Sequence, residues 1–114
     1  MDMRDNRPIC ESYMIAMNEM GHSTICDAAG EEGSLSGGST DMGNVSYEVP
    51  GFHGSFYIHT DGVNHTPQFT AGAGSDESFK RSLYCAAGMA VVGCRMLAED
   101  EFAAAVKSDF DSKK

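Results

Sequence analysis

Four histidines, His22, His53, His59 and His65, are the side chains best suited to metal or proton chemistry, and the last three fall six residues apart. On one continuous strand that even spacing would put them on a single face. Pro50, Gly54, Asp61-Gly62 and Pro67 interrupt such a strand, and zinc needs three or four ligands converging at about 2.0 to 2.3 Å. A small metal-binding protein using His53, His59 and His65 with Asp41 or Cys26 therefore ranks behind the readings below. His65 stands out among the four. It follows Asn64 and precedes Thr66-Pro67, a strand-exit position of the kind where open α/β sheets collect functional side chains. Asp41, after Gly37-Gly38-Ser39-Thr40, is a second candidate, and its plainest role is a helix cap.

Other templates fail. There is no G-x-S-x-G elbow, no phosphate loop and no H-E-x-x-H pair. Glu31-Glu32 sits in a glycine- and serine-rich stretch, where neighbouring acids are ordinarily solvated surface charges. Gly37-Gly38 has neither a strand before it nor a basic residue nearby to make an anion cradle. Cys10, Cys26, Cys85 and Cys94 contain no C-x-x-C pair and are too few for a disulfide scaffold, so they read as reduced thiols. Cys85 and Cys94 on one helix would lie about 180° apart and could not pair within it.

The 114 residues carry 17 acids against 8 bases, a formal charge of −9, with a pI near 4.6. One domain at most is expected. Lys and Arg are scattered, so nucleic acid and anionic membranes are poor partners. Met1 to Asn6 has two acids and no apolar run, which is unlike a secretory signal and makes the cytoplasm the expected compartment.

These candidate groups need elements to position them. Asn6 or Asp5 can cap a helix with Pro8 in its first turn and Ile9, Tyr13, Ala16, Met17 and Met20 on one face, stopped by Gly21. Ala29 to Thr40 reads as an exposed loop. Thr40 or Asp41 can cap a short helical turn, and Phe56, Tyr57 and Ile58 read as a short buried strand. A long helix should run from Ser75 to about Glu99. Phe79, Leu83, Ala87, Ala90, Val91, Cys94 and Leu97 make one apolar face of it, and Cys85, Met89, Val92 and Met96 make a second. Its apolar run, Leu83 to Ala98, is shorter than the ~20 residues that span a bilayer. Gly88 and Gly93 would let another element approach closely. Glu101 to Phe110 reads as a weaker amphipathic tail. A helix greasy all round wants cover on both sides, which points to part of a larger α/β domain: helices packed on a short, incomplete sheet.

Several motifs carry a family resemblance. Gly38-Ser39-Thr40-Asp41-Met42-Gly43-Asn44-Val45-Ser46, then Val49-Pro50-Gly51-Phe52-His53, then Asn64-His65-Thr66 with Gln68-Phe69-Thr70 and Ala73-Gly74-Ser75, resemble the C-terminal part of M20-family metallopeptidases. The dipeptidase subgroup is the nearest, with the bacterial aminobenzoyl-glutamate utilization hydrolases as relatives. The resemblance implies that residues 6–110 are the C-terminal segment of an M20 catalytic domain, between a disordered start at 1–5 and a disordered tail at 111–114, with the lid domain absent. It further implies a site with two zinc or manganese ions, where a metal-bound water attacks the amide of a dipeptide or N-acyl amino acid. His65 matches the family's late metal ligand. Asp41 and Asn44 match the S-T-D-x-G-N string near the active site, and His53 a substrate-side polar position. The family's C-G-H type segment is absent, and so are the other ligands; the lid through which members often form homodimers is missing too. The expectation is a dipeptidase fragment, inactive in isolation. The alternative is a non-enzymatic truncated product that binds a full-length partner through its apolar helix faces.

Overall fold

The computed structural model describes residues 3–26 and 40–114, which form five helices: α1 (Arg7–Glu19), α2 (Met42–Glu48), α3 (Pro67–Ala73), α4 (Asp76–Ala98) and α5 (Asp100–Ser112). Capping chemistry sets the two main starts. Asn6 Oδ1 accepts the Ile9 N–H at 3.3 Å with Pro8 in the first turn of α1. Ser75 Oγ accepts the Ser78 N–H at 3.1 Å, and Asp76 and Glu77 sit at the positive end of α4. Gly21, at φ +84°, turns the chain out of α1 in the left-handed region that glycine enters without strain. α4 breaks at Glu99, where the backbone goes extended and α5 begins at once.

The core is a three-helix junction. Ile9, Tyr13 and Met17 of α1 meet Cys85 and Val92 of α4 and Phe102 and Val106 of α5, with Met20, Phe52 and Met96 packed against them. At Gly88 α1 packs tightly on α4: a Cβ there would stand 2.9 Å from Met17 Sδ and 3.0 Å from Tyr13 Cε2. Gly93 does not share that role, since nothing lies within 4 Å of its missing Cβ. Polar bonds tie the periphery to this core. Asn6 Nδ2 donates to the Val106 carbonyl at 2.8 Å, and Arg95 Nη1 donates to Ser12 Oγ at 2.9 Å. The Arg4 N–H donates to the buried Ser46 Oγ at 2.9 Å and so anchors α2.

The expected α/β class is overturned, because among the described residues there is no strand and no sheet. Phe56, Tyr57 and Ile58 do form an irregular link, but only Ile58 is buried, while Tyr57 is 64% exposed. A strand exists by pairing its N–H and C=O groups with a neighbour, and none of the described residues pairs with this segment as a strand. Pro67, expected only as an interruption of a strand, opens α3. Thr66 caps it by accepting the Phe69 N–H at 3.2 Å, and Pro67 opens its first turn. The loop expected over Ala29 to Thr40 lies outside the described residues except for Thr40; so do Glu31-Glu32 and Gly37-Gly38.

The two apolar faces of α4 have different fates. Cys85 and Val92 are buried against α1 and α5 and Met96 is half-buried, although Met89 of the same expected face is exposed; Phe79, Leu83, Val91, Cys94 and Leu97 are all exposed, Leu97 by 92%. No described element covers that outer face. No helix among the described residues is long and apolar enough to cross a membrane.

Candidate functional site

After Gly21 the chain doubles back along α1. The His22 N–H donates to the Met17 carbonyl at 2.9 Å, and Asn18 clamps Thr24 by accepting its N–H at 2.8 Å and donating Nδ2 to its carbonyl at 3.3 Å. Between this returning segment, α1 and the stretch after Gly51 lies a cleft of about 990 Å³. Tyr13, Met17 and Phe52 form its apolar wall, with the Tyr13 and Phe52 rings 5.1 Å apart.

The polar lining is where the sequence candidates meet. His53, Asn64 and His65 all line this one cleft, together with His22, Asp5 and Arg81. The His53 N–H donates to Asp5 Oδ1 at 3.4 Å, and the His22 ring lies 4.1 Å from the Tyr84 ring of α4. Asn64 and His65 occupy a turn closed by Thr66 Oγ1 donating to the Val63 carbonyl at 2.7 Å. His65 has φ +68° and is the only non-glycine among the described residues in the left-handed region. Such a backbone costs a side-chain-bearing residue about 1 kcal/mol, and it persists because the Thr66 bonds fix the turn on both sides.

Asp41 and Asn44 are not among the cleft-lining residues. Both are exposed at the start of α2, next to Thr40, which does line it. Asp41 makes no side-chain capping bond; Thr40 Oγ1 takes the Met42 N–H at 3.3 Å instead. His59 is exposed and lies apart from His53 and His65. Among the described residues no three His, Cys, Asp or Glu side chains converge as a metal site would need. These residues therefore do not fit a complete zinc or manganese centre.

Three residues of the cleft escaped sequence reasoning. Arg81 reaches it from α4, pairing with Glu77 at 3.0 Å and holding its guanidinium 5.3 Å from the Tyr57 ring; only the i, i+4 spacing of Glu77 and Arg81 hinted at it. Tyr13 and Cys10 had looked like plain helix positions. Burial, and then a hydrogen bond with Cys85, raises the Tyr13 phenol above its ordinary range. Burial, followed by a hydrogen bond with Cys26, pushes the Cys10 thiol up to about 12. All four cysteines are free thiols.

Against this geometry, the likeness to known proteins is specific. The mouse (Mus musculus) Xaa-Arg dipeptidase is 36% identical over 108 residues, and the human (Homo sapiens) Xaa-Arg dipeptidase is 34% identical over 110. The chain is similar to dipeptidases. Each match takes in 95% of this chain but only 25% and 24% of the relative, so the chain spans about a quarter of the length of the curated relatives it matches. No family model matches the sequence, and no solved structure matches it. Both the α2 string and the Asn64-His65-Thr66 turn lie within a chain that aligns almost end to end.

Proposed function

We propose that this chain is the C-terminal part of a dipeptidase-type amide hydrolase of the M20 kind, whose whole form cleaves dipeptides or N-acyl amino acids. The observation that carries this reading is the likeness to two Xaa-Arg dipeptidases along 95% of the chain. The meeting of His53, Asn64 and His65 in one cleft supports it. In this reading His65 contributes one ligand to a zinc or manganese site completed by residues outside this chain. His53 is a polar contact to substrate inside the cleft, and Asp41 and Asn44 are polar contacts at its rim. The chain alone is inactive, since one ligand supplies neither a fixed coordination set nor an open position.

A chimaera tests the reading. This chain replaces the matching quarter of the mouse Xaa-Arg dipeptidase, and hydrolysis of dipeptides with a C-terminal arginine is measured. Retained turnover that His65→Ala removes is the expected result; a folded chimaera with no turnover, or one indifferent to His65→Ala, overturns it. The isolated chain with added zinc or manganese should show no turnover.

The outer face of α4 favours a second reading, a non-enzymatic product docking on a full-length partner. Exposed Phe79, Leu83, Val91 and Leu97 form the kind of apolar surface that marks an interface. Co-sedimentation with an intact dipeptidase of this kind, lost on Leu83→Lys with Leu97→Lys, is its expected signature.

A further inference from the structure

Among the described residues Arg81 is the only Lys or Arg that lines the cleft, in a chain whose formal charge is −9. Two contacts hold its guanidinium in place. Nε and Nη2 both donate to Glu77 Oε1, at 3.1 and 3.0 Å, one turn earlier on α4, and Cζ stands 5.3 Å from the centre of the Tyr57 ring, which lines the cleft as well. A guanidinium carries five N–H groups in a planar fork, and each of two edges of that fork can grip a carboxylate with a pair of parallel bonds. Glu77 occupies the edge made by Nε and Nη2. The other edge, made by Nη1 and the second Nη2 hydrogen, donates to no described residue. The Arg81 side chain is 33% exposed, so a solute in the cleft can reach it.

We propose that Arg81 is the carboxylate anchor of the cleft: its unoccupied edge takes the terminal carboxylate of a dipeptide or N-acyl amino acid, while Glu77 and the Tyr57 ring hold the fork in position. The inference rests on the dipeptidase reading for the nature of the ligand. Dipeptides and N-acyl amino acids differ in side chain and acyl group, yet all end in a free carboxylate, and a fixed guanidinium is the group that recognises one with two directed bonds. The rest of the lining suits such a ligand. Asn64 brings a side-chain amide able to donate and accept, and Tyr13, Met17 and Phe52 offer an apolar wall to a side chain. Arg81 then selects for the charged end of the ligand: an amidated end gives the fork no anion to grip and leaves its donors to water.

The test titrates the full chain, labelled with nitrogen-15, with N-acetylalanine and separately with N-acetylalanine amide, following the Tyr57, Asn64 and Arg81 Nε resonances at low salt. The acid should bind about tenfold more tightly than the amide, the effect of charge-assisted hydrogen bonds in a wet cleft. Arg81→Gln should bring the acid down to the level of the amide, and Arg81→Lys, which keeps the charge without the fork, should retain part of the preference. Lys80→Gln removes a neighbouring charge that does not line the cleft and should leave the preference intact. Arg81 pairs with Glu77 at the surface, so its variants should keep the helical circular dichroism of the parent chain. No response to the acid, equal binding of acid and amide, a preference that survives Arg81→Gln, or one that falls equally with Lys80→Gln overturns the proposal. The readout needs no turnover. An inactive chimaera beside an intact acid preference therefore refutes the dipeptidase reading alone, and an active chimaera beside a chain with no acid preference refutes the anchor alone.

Discussion

The Tyr13 hydroxyl donates to Cys85 Sγ at 3.1 Å across the contact between α1 and α4, and both residues are almost wholly buried. The hydrogen bond sits inside the apolar core and joins two helices 72 positions apart in the chain. Its removal in Tyr13→Phe keeps the ring packed on Phe52 and deletes only the donor, so a loss of about 0.5 to 1 kcal/mol is expected in urea unfolding. Tyr13→Ala removes the ring as well and should cost about 3 to 5 kcal/mol, enough to unfold a small domain.

The same phenol predicts an alkaline limit. Its folded value is raised above the ordinary 10.0, first by burial and then by Cys85. The folded state therefore holds a proton that the unfolded chain gives up sooner. That contribution is complete below pH 10 and is lost as pH rises through the alkaline range, with Cys10 adding to the loss from its ordinary value of 9.0 upward. Urea midpoints should be flat from neutral pH and then fall; in Tyr13→Phe the fall should be shallower. An equal fall in both proteins would contradict the assignment.

Gly88 and Gly93, one and a half turns apart on α4, should respond in opposite directions to alanine. At Gly88 the gain of about 1 kcal/mol in helix propensity is set against a Cβ 2.9 Å from Met17 Sδ and 3.0 Å from a Tyr13 ring carbon. Overpacking of a buried contact costs about 1 to 3 kcal/mol, so Gly88→Ala should be destabilising. Gly93 has open space, and Gly93→Ala should stabilise by about 1 kcal/mol. Thermal melts of the two variants side by side check both signs.

His65 offers a measure of stored strain. With φ +68°, replacement by glycine should raise stability or leave it unchanged, whereas His65→Ala keeps the strained backbone and should give no such gain. If glycine proves the more destabilising of the two, the imidazole ring is making a stabilising contact that outweighs the backbone term.

Local signals were the legible part of this protein. A residue that caps a helix does so with a neighbour three positions along, so Asn6 and Ser75 announced α1 and α4 in the sequence, and apolar spacing gave Ile9, Tyr13 and Met17 as a buried stripe. The resemblance motifs were equally local: of the residues they singled out, His53 and His65 line one cleft, whereas Asp41 and Asn44 do not. α3 was legible too, in Thr66 before Pro67, but the proline was read as an interruption and its role as a helix opener was overlooked.

What only the tertiary structure decided are the facts that depend on a second segment. Phe56, Tyr57 and Ile58 have the composition of a strand, yet composition cannot supply the partner whose hydrogen bonds make one, and among the described residues the expected sheet is absent. Two apolar faces on α4 looked alike in the sequence. Packing on α1 and α5 buried the one with Cys85 and Val92 and left Leu83 and Leu97 in the open. The return of the chain after Gly21, which brings Thr24 and Ile25 to the cleft that Tyr13 and Met17 line, is likewise set by the clamp between Asn18 and Thr24. Periodicity and capping are properties of a few neighbouring residues, whereas pairing, cover and convergence are properties of segments that meet only once the chain has folded.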